Sequence, residues 1–197
     1  MKSLVLFLVI PFLGLVGLTI VKDLPHYFSE LVIMNTGLPS GTEIEELKSV
    51  DKIHKLLPFC LWRAFVSLLG TFLPVDFIFR RVARFPSDVA EAYNAPFPSS
   101  MYKGGAAKWP LLVPLFRDDP VAEHMIEAQR YLAQCNKPVL IMFGDKDPIT
   151  KGQDKMFLKL VPHAKHVTIK GASHFLQETH GLELAENIIS FLVKDSI

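Results

Sequence analysis

The chain opens MKSLVLFLVIPFLGLVGLTIVKDLP (residues 1–25), with nineteen uncharged residues between Lys2 and Lys22. Whether this stretch is a membrane or leader segment, or the buried start of a folded domain, decides the fold. A lysine followed by such a run has the layout of a leader peptide, and the run is close to the ~20 residues that cross a bilayer. Against that, Pro11, Gly14 and Gly17 interrupt a helix, and the small-residue cleavage pattern near residues 17–19 is weak. The folded reading, a strand over residues 4–9 and a helix behind it, has to be judged from the rest of the chain.

That remainder is the material of a globular protein. Half of the 197 residues are hydrophobic and 15 are Phe, ample for one core, or for one domain carrying a large insertion. The 21 basic and 20 acidic residues interleave to a net charge of +1 without a basic stripe or an acidic tail, which argues against a nucleic-acid partner. Cys60 and Cys135 lie far apart and make no CxxC pair. They read as reduced packing thiols of a cytoplasmic protein, with no disulfide framework. No metal-ligand or cofactor motif appears.

Short apolar runs ending in turn formers mark the strands. LVIMN (31–35) stops at TGLPSGT, PVLIMFG (138–144) at DKDPITKG, and HVTI (166–169) at KGASH. Continuous apolar runs suit parallel strands covered on both faces. Helical periodicity follows the last two, over residues 153–160 and 182–192, so the units are strand–turn–helix and the fold class is α/β. Between the first and second runs lie about a hundred residues, too long for a simple crossover. Residues 43–57 look helical, residues 56–82 are rich in Leu and Phe, and Pro-containing loops follow. This is an inserted helical subdomain. The expected division is 1–40 and 131–197 for the sheet domain and 41–130 for the insertion.

Two polar residues follow strands. Asp147 lies in GDKDPIT and His174 in GASHF, one strand–helix–strand unit apart. Loops at the carboxyl ends of parallel strands gather on one edge, where ligands bind. A carboxylate orienting a histidine for general-base work needs this arrangement. The plainer alternative is that Asp147 opens a turn and His174 caps a helix. Asp145 competes with Asp147 for the acid role, and spacing does not separate them. A nucleophile is missing: no GxSxG occurs, and neither cysteine lies on a strand elbow.

IMNTGLPSG, FCLWRAF, AYNAPFPSSMYKGGAAKWPLLVP, FGDKDPITKG and IKGASHFLQE, in this order, resemble a haloalkane dehalogenase of the α/β-hydrolase superfamily. The likeness runs from about Gly14 to the C-terminus and is closest to the subgroup whose acid follows the strand after the cap. It implies half of an α/β-hydrolase sheet with an inserted helical cap. In that family a carboxylate displaces halide from carbon, and a His-activated water hydrolyses the resulting alkyl ester, without a cofactor. By this resemblance His174 is the base and Asp147 its acid partner. Asn35 stands where a sister subgroup places its acid. Trp62 is the halide donor of the cap, and Phe59, Trp109, Pro110 and Val113 line an apolar pocket. An epoxide hydrolase is similar in fold, but uses cap tyrosines where Trp62 stands here.

The opening departs from the family. A DWGG elbow precedes a helix resembling GLLGLTL there, and GLVGLTIVKDLP continues that pattern from Gly14. Counting back, Pro11 falls on the nucleophilic Asp and Phe12 on the Trp that donates the second halide hydrogen bond. Proline has no carboxylate and Phe no N–H; Asp23, over two helical turns past Gly14, is a poor substitute. The expectation is therefore a family member lacking the nucleophile and the upstream strands, inactive as it stands. A bare edge on the strand at 4–9 would favour self-association. A remnant binding an apolar molecule or halide is a second expectation, a membrane-anchored or secreted form through residues 1–21 a third, and an alternative translation of a longer enzyme overlaps them all.

Overall fold

The structure, a computed structural model, describes residues 4–9, 11–42 and 50–194, with side chains over 13–42 and 56–193. The described residues divide into two compact units, residues 1–40 with 122–197 and residues 41–121.

The first unit is built on a parallel sheet of four strands in sequential order: β1 (Leu4–Val9), β2 (Phe28–Met34), β3 (Val139–Gly144) and β4 (Lys165–Ile169). Each overlaps one of the apolar runs of the sequence, but β4 departs from the expected cover on both faces, with Lys165, His166 and Thr168 exposed. The pairings Val9↔Met34, Met34↔Met142 and Gly144↔Ile169 bring all four carboxyl ends to one edge. Alternation sorts the side chains between two faces. Val32, Met34, Leu140 and Met142 pack with Leu176, Leu184 and Phe191 of α8 (Leu176–Lys194). Leu31, Ile33, Ile141 and Phe143 take the opposite parity, and the Phe143 ring lies 6.2 Å from Phe157 of α7 (Gln153–Leu160). Both middle strands are thus covered on both sides, which is why they read as unbroken apolar runs.

The opening stretch holds a strand and a helix. Helix α1 (Pro11–Asp23) starts with proline, whose missing N–H costs nothing in a first helical turn. It buries Leu15, Leu18 and Val21, and Lys22 in its last turn donates to Glu127 of α6 (Ala122–Ala133) over 2.7 Å. Cations are favoured at a helix C-terminus by the helix dipole. Among the described residues no helix is long and apolar enough to cross a membrane.

α8 begins six residues before the helical pattern at 182–192 and bends at His180, whose φ of −129° breaks the helical run.

The second unit is helical: α2 (Val50–Leu69), α3 (Val75–Phe77) running into a π-helical turn (Ile78–Val82), α4 (Ser87–Asn94) and α5 (Gly104–Leu112). The helix expected over 43–57 is seen from Val50; residues 43–49 lie outside the described residues. A small core of Val66, Leu73 and Val75 gathers Trp62, Leu69, Ile78, Phe79 and Phe97 around it. Lys103 donates to the Leu73 carbonyl at 2.8 Å, and the Arg63 guanidinium donates to the Val113 carbonyl. The insertion ends at Val121, nine residues earlier than the sequence boundary at 130. Helix α6 goes with the sheet because it packs on α1 and α7. Its amphipathic pattern would have served a cap equally well.

Candidate active site

The site is assembled where β2, β3 and β4 end. Gly144 closes β3, and a Cβ there would stand 2.3 Å from the Ala172 carbonyl oxygen, so only glycine fits. That close approach lets two loops interlock. The Asp145 N–H donates to the Ile169 carbonyl at 3.2 Å and the Lys146 N–H to the Ala172 carbonyl at 3.0 Å. Asp145 itself is exposed, and its Oδ1 accepts the Gly171 N–H at 2.7 Å; Gly171 has a φ of +81°, a conformation that favours glycine.

With the loops so fixed, Asp147 and His174 meet. The His174 Nδ1 lies 3.0 Å from both carboxylate oxygens of Asp147. Asp147 is 1% exposed and His174 7%. The Ile149 N–H donates to Asp147 Oδ1 at 2.8 Å, and the Thr150 hydroxyl donates to Oδ2. Burial by itself would push the Asp147 carboxyl up. The hydrogen bond and charge of His174, with the Thr150 and Ile149 donors, outweigh it and hold the group below the ordinary carboxylate value. An ionised carboxylate on Nδ1 leaves Nε2 as the imidazole's proton acceptor. The geometry separates the two aspartates that spacing could not: Asp145 ties a turn, and Asp147 faces the imidazole.

Asn35 lies at the same edge, directly past β2, fully buried and with a φ of +36°. Its Nδ2 donates to the carbonyls of Ser173 and His174, each at 2.9 Å, and its Oδ1 accepts the Gly144 N–H at 2.9 Å. Pro11 begins α1 two residues beyond the end of β1, at the carboxyl edge of that strand; its side chain is outside the described ones.

The cap residues belong to the second unit. Trp62 is half-buried against the Val66–Leu73–Val75 core, its ring 5.8 Å from Phe65. Pro110 is buried, Phe59 and Val113 are half-buried, and Trp109 is exposed. An open groove of about 400 Å³ in this unit is lined by Cys60, Arg63, Ala64, Ser67, Leu111 and Leu115, a different set from the four expected pocket residues. Among the described residues no group of three His, Cys, Asp or Glu is placed to hold a metal ion.

Sequence reasoning missed Thr150 and the bonding of Asn35. Thr150 had a signal, since a hydroxyl three residues after Asp147 in DKDPIT is placed to close a turn on the carboxylate. Asn35 had none beyond its place at a strand end.

No family model matches the chain. A haloalkane dehalogenase of Psychrobacter cryohalolentis is 36% identical over 184 residues, covering 91% of this chain and 57% of that protein. Haloalkane dehalogenase 1 of Mycobacterium tuberculosis is 37% identical over 183 residues, covering 90% and 57%. The chain thus spans somewhat over half the length of the curated relatives it matches. Among solved structures, the tetrameric haloalkane dehalogenase DpaA of Paraglaciecola agarilytica superposes with a TM-score of 0.74 at 28% identity, over 94% of this chain and 58% of that one. A DbjA variant gives 0.77 at 15% identity, over 99% and 69%, and shares the fold.

Proposed function

We propose that this chain, similar to the haloalkane dehalogenases over a portion of their α/β-hydrolase fold, carries the base, the acid and the cap of that family's hydrolytic site without the nucleophile. The observation that carries the reading is the buried His174–Asp147 pair at the carboxyl edge of a parallel sheet. In the family reaction a carboxylate on the elbow displaces halide and becomes an alkyl ester. The histidine then takes a proton from water, and the resulting hydroxide attacks the ester carbonyl. His174 Nε2 supplies that base, and Asp147, ionised against Nδ1, stabilises the imidazolium as it forms. Trp62 is the halide donor of the cap, and Phe59, Trp109, Pro110 and Val113 form its apolar lining. Halide leaves more readily where a donor is aimed at it and water is excluded.

The first half of the reaction has no agent in this chain. On this reading Pro11, the first residue of α1, stands where the sequence resemblance sets the elbow carboxylate, and proline offers no nucleophilic oxygen. Without an ester, His174 has nothing to hydrolyse. Halide release from short 1-chloro- and 1-bromoalkanes, followed with an ion-selective electrode, tests both parts. No release above the uncatalysed rate is expected. Turnover that disappears in His174→Ala would overturn the inactive reading while keeping the base.

The missing carboxylate favours one second reading, a non-catalytic chain that binds halide or a small apolar molecule through Trp62. Halide quenching of tryptophan fluorescence distinguishes it from a chain that binds nothing.

A further inference from the structure

Asn35 occupies the position at which the sequence resemblance set an alternative acid, and its geometry gives it a different task. A carboxamide has two N–H donors and one carbonyl oxygen. Both donors are engaged by consecutive backbone carbonyls, those of Ser173 and His174, and the oxygen by the Gly144 N–H, all at 2.9 Å. These partners lie 109 to 139 residues away in sequence and come from two different strand ends. One buried side chain thus fastens the end of β2 to the end of β3 and to the loop that carries His174. The His174 carbonyl is on the same residue as the imidazole, so the bond fixes the backbone from which the ring projects toward Asp147. A carboxylate at position 35 would face two carbonyl oxygens in a buried site with nothing to donate, which buried polar groups do not tolerate. The amide is required by its neighbours; it is not an acid that has decayed.

We propose that Asn35 is a positioning residue that holds His174 in hydrogen-bond register with Asp147 through the backbone of residues 173–174. The proposal rests on the reading of His174 as the base, and deepens it.

The full chain, labelled with ¹⁵N and ¹³C, tests it by NMR. The His174 Nδ1–H bonded to Asp147 should give a low-field resonance that exchanges slowly with water. In Asn35→Ala and Asn35→Asp the resonance should vanish or exchange at least about tenfold faster. Leu132→Ala, a buried core change on α6, serves as the control for simple loss of stability and should leave the resonance in place. A folded Asn35 variant that keeps the resonance at its original exchange rate would overturn the proposal, as would equal loss in Leu132→Ala. Should neither Asn35 variant fold, the unaltered chain decides. The Asn35 carboxamide protons should then exchange far more slowly than those of exposed Asn136 and show coupling to the carbonyl carbons of Ser173 and His174; exchange at the Asn136 rate would overturn it. Failure of the underlying base reading looks different: no low-field resonance in the unaltered chain, or one that survives Asp147→Asn.

Discussion

Gly14 in α1 and Thr36, just past β2, approach so closely that a Cβ on Gly14 would stand 2.0 Å from the Thr36 Oγ1 and 2.5 Å from its Cβ. No side chain fits there. The contact lets α1 lie directly on the end of its neighbouring strand, as close helix–strand packing beside a strand-to-helix turn requires. Gly14→Ala should therefore cost about 1–3 kcal/mol through overpacking, measured by urea denaturation. Because the Thr36 Cβ is itself too near, Thr36→Ala should relieve little of the loss. Thr36→Gly should relieve more, and a double-mutant cycle showing no such coupling would refute the packing.

Asp147 should govern the acid side of the stability profile. Its carboxyl titrates below its ordinary value in the folded protein, so the unfolded chain binds the proton first as pH falls. The stabilisation is then fully present above the ordinary carboxylate pKa of about 4 and is lost as pH drops from there through the folded value. Asp147→Asn should flatten that descent. At neutral pH it should also lower stability by about 1–3 kcal/mol, since the amide loses the charge and turns an N–H donor toward the donors that the carboxylate accepts from in a buried site. Thermal melts between pH 3 and pH 7, spanning the acid limb, would show both; an unchanged acid limb would contradict the assignment.

Asp145 supplies the matching negative expectation. Its carboxylate holds the Gly171 N–H and is exposed, so Asp145→Asn should cost under about 1 kcal/mol and leave the low-field His174 proton where it is. Loss of that proton in Asp145→Asn, with retention in Asp147→Asn, would exchange the two roles.

These two aspartates mark the limit of what the sequence makes legible. Apolar runs at 31–34 and 138–144 announce parallel strands, because burial on both faces leaves no polar residue in them, whereas the run at 166–169 carries exposed His166 and Thr168. Their ends locate the site edge, since parallel strands share a direction. Which of two carboxylates in GDKD faces the histidine depends on how the turn folds over Ala172, and no periodicity records that. The same holds for Asn35, whose partners lie more than a hundred residues away. The end of the insertion at 121 differs from the expected 130 for a related reason: α6 has an apolar stripe that suits any neighbour, and only its packing on α1 and α7 assigns it to the sheet.

Trp62 gives the cap its test. The chain has two tryptophans, and Trp62 is the half-buried one, so a bound halide should report on it selectively. Bromide or iodide should quench fluorescence with a saturable component that disappears in Trp62→Phe and is absent with sodium acetate at equal ionic strength. A purely linear, collisional response shared by both forms would assign Trp62 to the cap core alone, where it touches Val66, Leu73 and Val75.

Gly144 tests the interlock on which the pair depends. An added Cβ would meet the Ala172 carbonyl oxygen at 2.3 Å and its carbon at 2.9 Å, both backbone atoms that no rotamer change can remove. Either β3 or the loop after β4 must move, and the loop carries His174 two residues further on. Gly144→Ala should therefore do two things together: lower stability by about 1–3 kcal/mol and accelerate exchange of the His174 Nδ1 proton. A core substitution such as Leu18→Ala, fully buried in α1, should cost about 2–5 kcal/mol without touching that proton. If Gly144→Ala merely destabilises, with the Nδ1 proton as well protected as before, the two loops are not coupled, and the pair is held by its own hydrogen bonds.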